Sequence, residues 1–405
     1  MGLTYRLFDS IEAVDAADWE RVRARCGEPI TADPRFIAAV EASMRPACSF
    51  WHVIVYDESG EPVASASLSA ITYDMADFAD PRLATIVRRL PNALSRLRNL
   101  KVLVCGLPGS AGQHSLAIVS PSRSGPVLAL LEHLICEMAE ARSMNGIVYQ
   151  EFAERDLEWT KSLLDLGYTR IPTSPMHFFT PSFRDFQDYC EALKSRYRKQ
   201  ISRSTRKLAP AGIRASVLTD PHEMLKAYTP EVHDLYNQVI DRAEVKPERL
   251  PMAFFHELAR RLAGDLDLIV LSRDAKILAF GFGLHAGSDY HLLFDGLDYA
   301  RNGEADLYFN LMYAGLDRAL RKRVSRIHVG QAANAFKARL GCYSEPLYAY
   351  TKGLGPVMSR IVRYGASWLI AQKPAVPPSD VFKDDVLAAR EPAADREPAL
   401  ADPAR

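Results

Sequence analysis

The sequence predicts two tandem α/β domains of one mixed type, followed by a disordered tail. Three observations lead there. The order of strand and helix signals in the first half, an antiparallel hairpin region and then strand, helix, strand, helix, strand, recurs in the second half. The length, 405 residues, exceeds one ordinary core at about 150 residues per domain. From Lys373 onward, six prolines in 33 residues leave few large apolar groups to bury. The expected boundaries are 1–182, 183–372 and a tail over 373–405.

The first half opens on a strand-like "YRLFDSI". A helix around "AADWERVRA" follows, then a second in "DPRFIAAVEAS", where Asp33 suits the N-cap and Pro34 the first turn. Two β-rich runs in "FWHVIVYDESGEPVASASLSAITYD" flank Asp57–Gly60, a hairpin signal. A charged helical region is expected up to about Leu103. "HSLAIVSP" then reads as a strand, "SGPVLALLEHLICEMAEARSM" as a helix with apolar period 3.6, and "GIVYQEF" as a strand. "TKSLLDLGYTRIPTSPMHFFTP" closes the half with a helix, a glycine stop and a final strand.

In the second half, "DLDLIVLSRDAKILAFGFGLHAGSDYHLLFDGLD" gives three strands turning at Asp274 and Gly287. "EADLYFNLMYAGLDRALRKR" is a helix, "RIHVG" a strand, "NAFKARLG" a short helix and "PLYAYTKG" a strand. Between the halves lies the basic segment "YCEALKSRYRKQISRSTRKLAPAG".

Lys plus Arg equals Asp plus Glu at 50 each, so no whole-molecule field draws the chain to nucleic acid or to an anionic membrane. DNA is excluded as a partner, and any anionic partner must be met locally. No apolar run reaches signal-peptide or membrane-span length, so the expected location is cytoplasmic. Six scattered cysteines without a C-x-x-C pair read as reduced core residues, giving neither a disulfide framework nor a metal site.

The duplicated order, the "LKSRYRKQISRSTRKL" helix, the "SRDAKILAFGFGLHAGSDYHLLFDGLD" hairpins and the "HVGQAANAFKARLG" ending together resemble tandem GNAT-fold acyltransferases of the FemAB/FemX-like group. "DPRFIAAVEAS" and "FWHVIVYDESGEPVASASL" look like the N-terminal repeat of such proteins, and the resemblance covers roughly residues 4 to 352. It implies mixed sheets splayed at their centre. The implied reaction moves an acyl or aminoacyl group from acyl-CoA or aminoacyl-tRNA, as co-substrate, to an amine.

Such chemistry needs a charge for the developing oxyanion, a proton acceptor and a place for the donor's phosphates. For the first, the resemblance implies Lys337, set in Phe336-Lys337-Ala338-Arg339-Leu340-Gly341 after a strand. The plain alternative is a lysine near a helix C-terminus, where dipole and solvent both suit it. For the proton, Asp295 ends the strand "YHLLFDG", and His328 alternates with apolar neighbours in "RIHVG". Their alternatives are a turn-forming Asp before Gly296 and a hydrogen-bonded core histidine. For phosphates, the resemblance implies a Q/R-x-x-G-x-G/A loop. "ARNGEADLYF" offers Gly303 and Ala305, but Ala300 stands first and Arg301 falls one residue late.

Seven of the fourteen residues from Lys194 to Lys207 are Lys or Arg. Leu193, Tyr197, Ile201 and Leu208 form the buried stripe, so Arg196, Arg198 and Lys199 fan outward, fit to grip phosphates of a nucleotide-linked acceptor, coenzyme A or tRNA, or simply solvated. Residues 355–372 are apolar with Arg360 and Arg363, and suit either docking on their own domain or a peripheral membrane contact. The expected acceptor is a small-molecule amine or a nucleotide-linked amine. The competing function is a non-catalytic protein of the same fold that binds an anionic nucleotide or RNA.

Overall fold

A computed structural model describes residues 2–74, 89, 99–109, 111–243, 248–369 and 380–384. Its strands are β1 (Thr4–Phe8), β2 (Ser49–Tyr56), β3 (Pro62–Asp74), β4 (Asn99–Cys105), β5 (Leu116–Ile118), β6 (Gly146–Ala153), β7 (Thr169–Pro172), β8 (Met176–Phe179), β9 (Arg214–Leu218), β10 (Leu266–Arg273), β11 (Lys276–Ala286), β12 (Asp289–Leu297), β13 (Arg326–Gly330), β14 (Tyr343–Glu345) and β15 (Leu347–Gly353). The first sheet runs β1-β2-β3-β4-β6-β15-β7, with β5 paired to β3, and the second runs β14-β8-β13-β12-β11-β10-β9. Each is antiparallel except at one central pair, β4/β6 in the first and β12/β13 in the second.

Local sequence accounts for most elements. Asp33 accepts the Arg35 amide at 2.8 Å and starts the helix Pro34–Met44. Gly60, at φ +81°, supplies the left-handed residue of the β2–β3 turn. Helix Ser124–Ala141 buries Val127, Leu128, Leu131, Leu134 and Ile135 against Leu103, Ile147 and Tyr149 of the first sheet. Helix Leu307–Arg321 covers the second sheet with Leu307, Leu311, Leu316 and Leu320. It is pinned by Arg318, which donates to both oxygens of buried Asp267 at 2.8 and 2.9 Å. The opposite face of the second sheet, with Leu268, Val270, Phe282 and Leu284, shares one core with Phe36 and Ile37 of the first half.

Two strands cross between the halves. β8, before residue 182, pairs with β13 and β14 in the second sheet. β15, near the other end of the chain, lies between β6 and β7 in the first. A cut between 182 and 183 therefore parts both strands from their hydrogen-bond partners. Lys352 on β15 locks the exchange: its ammonium reaches Glu132 Oε1 at 2.5 Å and the Leu166 carbonyl at 3.0 Å. Lys352→Ala leaves that nearly buried carboxylate without its cation, and a chemical melt should read a loss of about 2 kcal/mol.

Residues 99–103, expected to be helical, are strand β4. "NLKVLVC" suits a central strand, parallel to β6 over Val102–Cys105, better than a helix. The preceding 75–88 and 90–98 lie outside the described residues. The expected disordered tail does so as well, except for 380–384. There Val381 and Phe382 are buried, and the Val381 carbonyl accepts the Lys194 amide at 2.9 Å.

Candidate active site

The second sheet opens where chemistry was expected. The parallel ladder of β12 and β13 spans only Asp289–His291 against Arg326–His328. Beyond it the strands part, because β12 carries a bulge. Phe280 pairs with Gly296 and Phe282 with Leu293, so Phe294 and Asp295 together face Gly281. Phe294 adopts φ +47°, a left-handed conformation unusual for a bulky residue. A bulge bends its strand and re-aims side chains, and here it turns Asp295 toward the opening.

Lys337 meets it from the other side. Gly330, at φ +85°, ends β13, and the chain returns through the short helix Asn334–Arg339. Phe336 anchors that helix by stacking on Phe309 with centroids 4.5 Å apart. The Lys337 ammonium then lies 3.3 Å from where a Cβ on Gly330 would sit, so any larger residue there would crowd it. Lys337 is 3 % exposed. Among the described residues it has no ion pair and no side-chain hydrogen bond. Burial brings its pKa down to about 8, against the opposing pull of Cys342 and Asp295. Burial likewise raises the Asp295 carboxyl above the ordinary range, with Lys337 opposing. Nearby, His177 on β8 bonds Asn334 Oδ1 at 2.9 Å. A buried cation without a partner, facing an uphill-shifted carboxyl, is an arrangement that stability alone does not favour.

The corresponding opening in the first sheet is filled. Past the β4/β6 ladder, a Cβ on Gly106 would fall 2.5 Å from Gln150 Nε2. A side chain therefore occupies that gap, unlike the opening between β12 and β13.

His328 sits elsewhere. Its Nε2 bonds Asp289 Oδ2 at 2.7 Å, its ring stacks on His291 with centroids 3.9 Å apart, and Asp289 also accepts from Arg326 at 3.0 Å. This cluster lines a cavity of about 570 Å³ between the two sheets, and neither Lys337 nor Asp295 does so. Asp289 and His291 were not picked out from the sequence. Only the parallel pairing of β12 with β13 puts them beside His328.

The phosphate-loop residues lie differently from expectation. Tyr299–Ala305 is a seven-residue helix, broken at Asp306 (φ +48°) before Leu307–Arg321. Gly303, fifth in that helix, spends its amide inside it, and Ala305 is buried. Arg301 pairs with Asp298 at 3.4 Å, and the Tyr308 amide at the next helix start is taken by Asn302 Oδ1 at 3.1 Å. The basic helix Ser195–Thr205 follows expectation in its packing: Ile201 is buried while Arg196, Arg198 and Lys199 are exposed. Arg196 lies over the Tyr197 ring at 4.6 Å. Ser204 and Lys207 fasten the end of this segment to Asp306, each at 2.8 Å. Among the described residues no carboxylate pairs with Arg196, Arg198, Lys199, Arg203 or Arg206.

A model of the FemAB-like family, described as peptidoglycan biosynthesis/recognition, matches residues 10–364. The chain belongs to the FemAB-like family. It is an acyltransferase-type enzyme with two tandem GNAT-like units. Among solved structures, a crystal structure of FemX is similar at 12% identity and TM-score 0.52, over 86% of this chain and 97% of that one. A tandem GNAT protein from the clavulanic acid biosynthesis pathway is similar at 14% identity and TM-score 0.52, over 88% and 99%. At such identities these two likenesses speak for the fold alone. No curated protein matches the sequence. Among the described residues of this FemAB-like chain, no helix is long and apolar enough to cross a membrane. Helix Gly355–Leu369 packs on β15 and leaves Val357 and Ile361 exposed.

Proposed function

We propose that this protein transfers an aminoacyl group from aminoacyl-tRNA to an amine, with the reaction centre between Lys337 and Asp295. The observation that carries this reading is the Lys337 ammonium, buried and without an ion pair among the described residues, beside the β12/β13 opening. The amine nitrogen attacks the ester carbonyl, and the carbonyl oxygen takes on negative charge. Lys337 stabilises that charge without reorganising, in surroundings that exclude water. Asp295 accepts the proton released by the newly bonded nitrogen and passes it to the departing ribose oxygen as the ester C–O bond breaks.

Two features favour tRNA over acyl-CoA as donor. The amides that would cradle a pyrophosphate are engaged at Gly303 and Tyr308, and the carboxylate of Asp306 stands at that helix start. The face with Arg198, Lys199, Arg203 and Arg206 is exposed and pairs with no carboxylate among the described residues, which suits a polyanion. Charged tRNA should therefore raise the melting temperature and acetyl-CoA should not. In Arg198→Ala/Lys199→Ala the slope of log K against log salt should fall by about 1–2 in filter binding. Stabilisation by acetyl-CoA, with no response to tRNA, would reverse the donor assignment.

A further inference from the structure

Resting on that reading of the Lys337 site, we propose that the cavity between the sheets is the acceptor subsite, that it takes a cationic primary amine in preference to a nucleotide diphosphate, and that His328 removes the ammonium proton.

Glu28, Glu151, Asp156, Asp289 and Glu345 line the cavity, against the two guanidiniums of Arg155 and Arg326. Both guanidiniums are already matched, Arg326 by Asp289 at 3.0 Å and Arg155 by Glu345 at 3.6 Å. Even with Arg23 3.9 Å from Glu28, carboxylates outnumber guanidiniums, so a diphosphate would meet an excess of negative charge that an ammonium would reduce. Trp159 adds an aromatic ring of the kind that favours cations.

His291 lines the cavity, is 1 % exposed, and makes no side-chain hydrogen bond among the described residues. A polar ring buried at such cost without a partner is fitted to one that arrives.

Arg326 and His328 hold the Asp289 carboxyl well below its ordinary range even though burial opposes them, so it is ionised and can only accept. The proton between Asp289 Oδ2 and His328 therefore resides on Nε2, leaving Nδ1 with its lone pair. Nδ1 is buried and has no partner among the described residues. The groups facing this ring are Asp289, Arg326, His291, Glu345 and Phe178, and burial keeps it neutral at rest. An entering R–NH3+ gives a proton to Nδ1 and becomes R–NH2, and Asp289 balances the imidazolium. His328 stands two residues before Gly330 on one strand, roughly 7 Å along it, and Gly330 is the residue beside the Lys337 ammonium. The second proton, released after attack, goes to Asp295. Each base handles one proton.

Calorimetry on the full chain with cadaverine and with UDP-N-acetylglucosamine tests the subsite. Cadaverine should bind the wild type and Lys337→Met alike, and about fivefold or more weakly in both Glu345→Gln and His291→Phe. Preference for the nucleotide sugar, or equal cadaverine affinity in wild type and both cavity variants, would overturn the subsite. Because Lys337 is outside the cavity, failure of the Lys337 role would appear in rates and not in this binding. For His328, transfer to cadaverine should fall about 10²-fold in His328→Gln, while transfer to hydroxylamine, uncharged at neutral pH, should persist. An equal fall with both amines would reduce His328 to a packing residue.

Discussion

Lys337→Met is expected to lower kcat/KM by about 10²- to 10³-fold while making the fold more stable. Both effects come from one buried charge. Folding brings the Lys337 pKa from 10.5 to about 8, which amounts to about 3 kcal/mol against the charged form at pH 7. Methionine has similar length and no charge, so it should recover that amount in a urea melt at pH 7. The sign of the pH dependence follows. Between about pH 8 and 10.5 the unfolded chain holds the proton and the native chain does not, so wild-type stability rises with pH through that window. The methionine variant should lack this rise. A lysine that served only the fold would give the opposite pattern, with lower stability and an unchanged rate.

The second large effect concerns Asp295. Its carboxyl titrates above the ordinary carboxylate range because it is buried, and it must be ionised to accept a proton, whereas Lys337 must be protonated to stabilise an oxyanion. The profile of kcat/KM should therefore be bell-shaped, rising as Asp295 ionises and falling above about pH 8 as Lys337 loses its proton. The pair interacts, so the limbs report the pair together. With hydroxylamine as acceptor, which does not need His328, Asp295→Asn should cut kcat/KM by about 10²-fold and erase the acid limb, leaving the alkaline one. Survival of the acid limb in that variant would pass the role to His328.

Much of this was legible in the sequence. Alternation and turn residues gave β1 to β3, β5, β6, β10 to β13 with turns at Asp274 and Gly287, and β15, but missed β9 and β14 and merged β7 with β8. Lys337 came from the resemblance carried by Phe336-Lys337-Ala338-Arg339-Leu340-Gly341, and Asp295 from its place at the end of "YHLLFDG" before Gly296. What stayed hidden depends on pairing. Nothing in "PLYAYTKG" or "MHFF" says which sheet will take it, since a strand's own alternation does not encode its neighbour. For the same reason Asp289 could not be joined to His328, 39 positions away. The glycine spacing of "ARNGEA" resembled a phosphate loop, yet it folds as helix because tertiary packing around Ala305 and Asn310 overrides it. "NLKVLVC" was misread for want of its partner β6.

The central claim is that peptide-bond formation occurs at Lys337, and one measurement addresses it most directly. Bulk tRNA charged with radiolabelled amino acids is incubated with cadaverine and either wild type or Lys337→Met, and the labelled amide is counted in a single turnover. The account predicts amide from the wild type and about 10²-fold less or lower from the variant, whose fold is the more stable of the two. Equal yields of amide from the two proteins would contradict it.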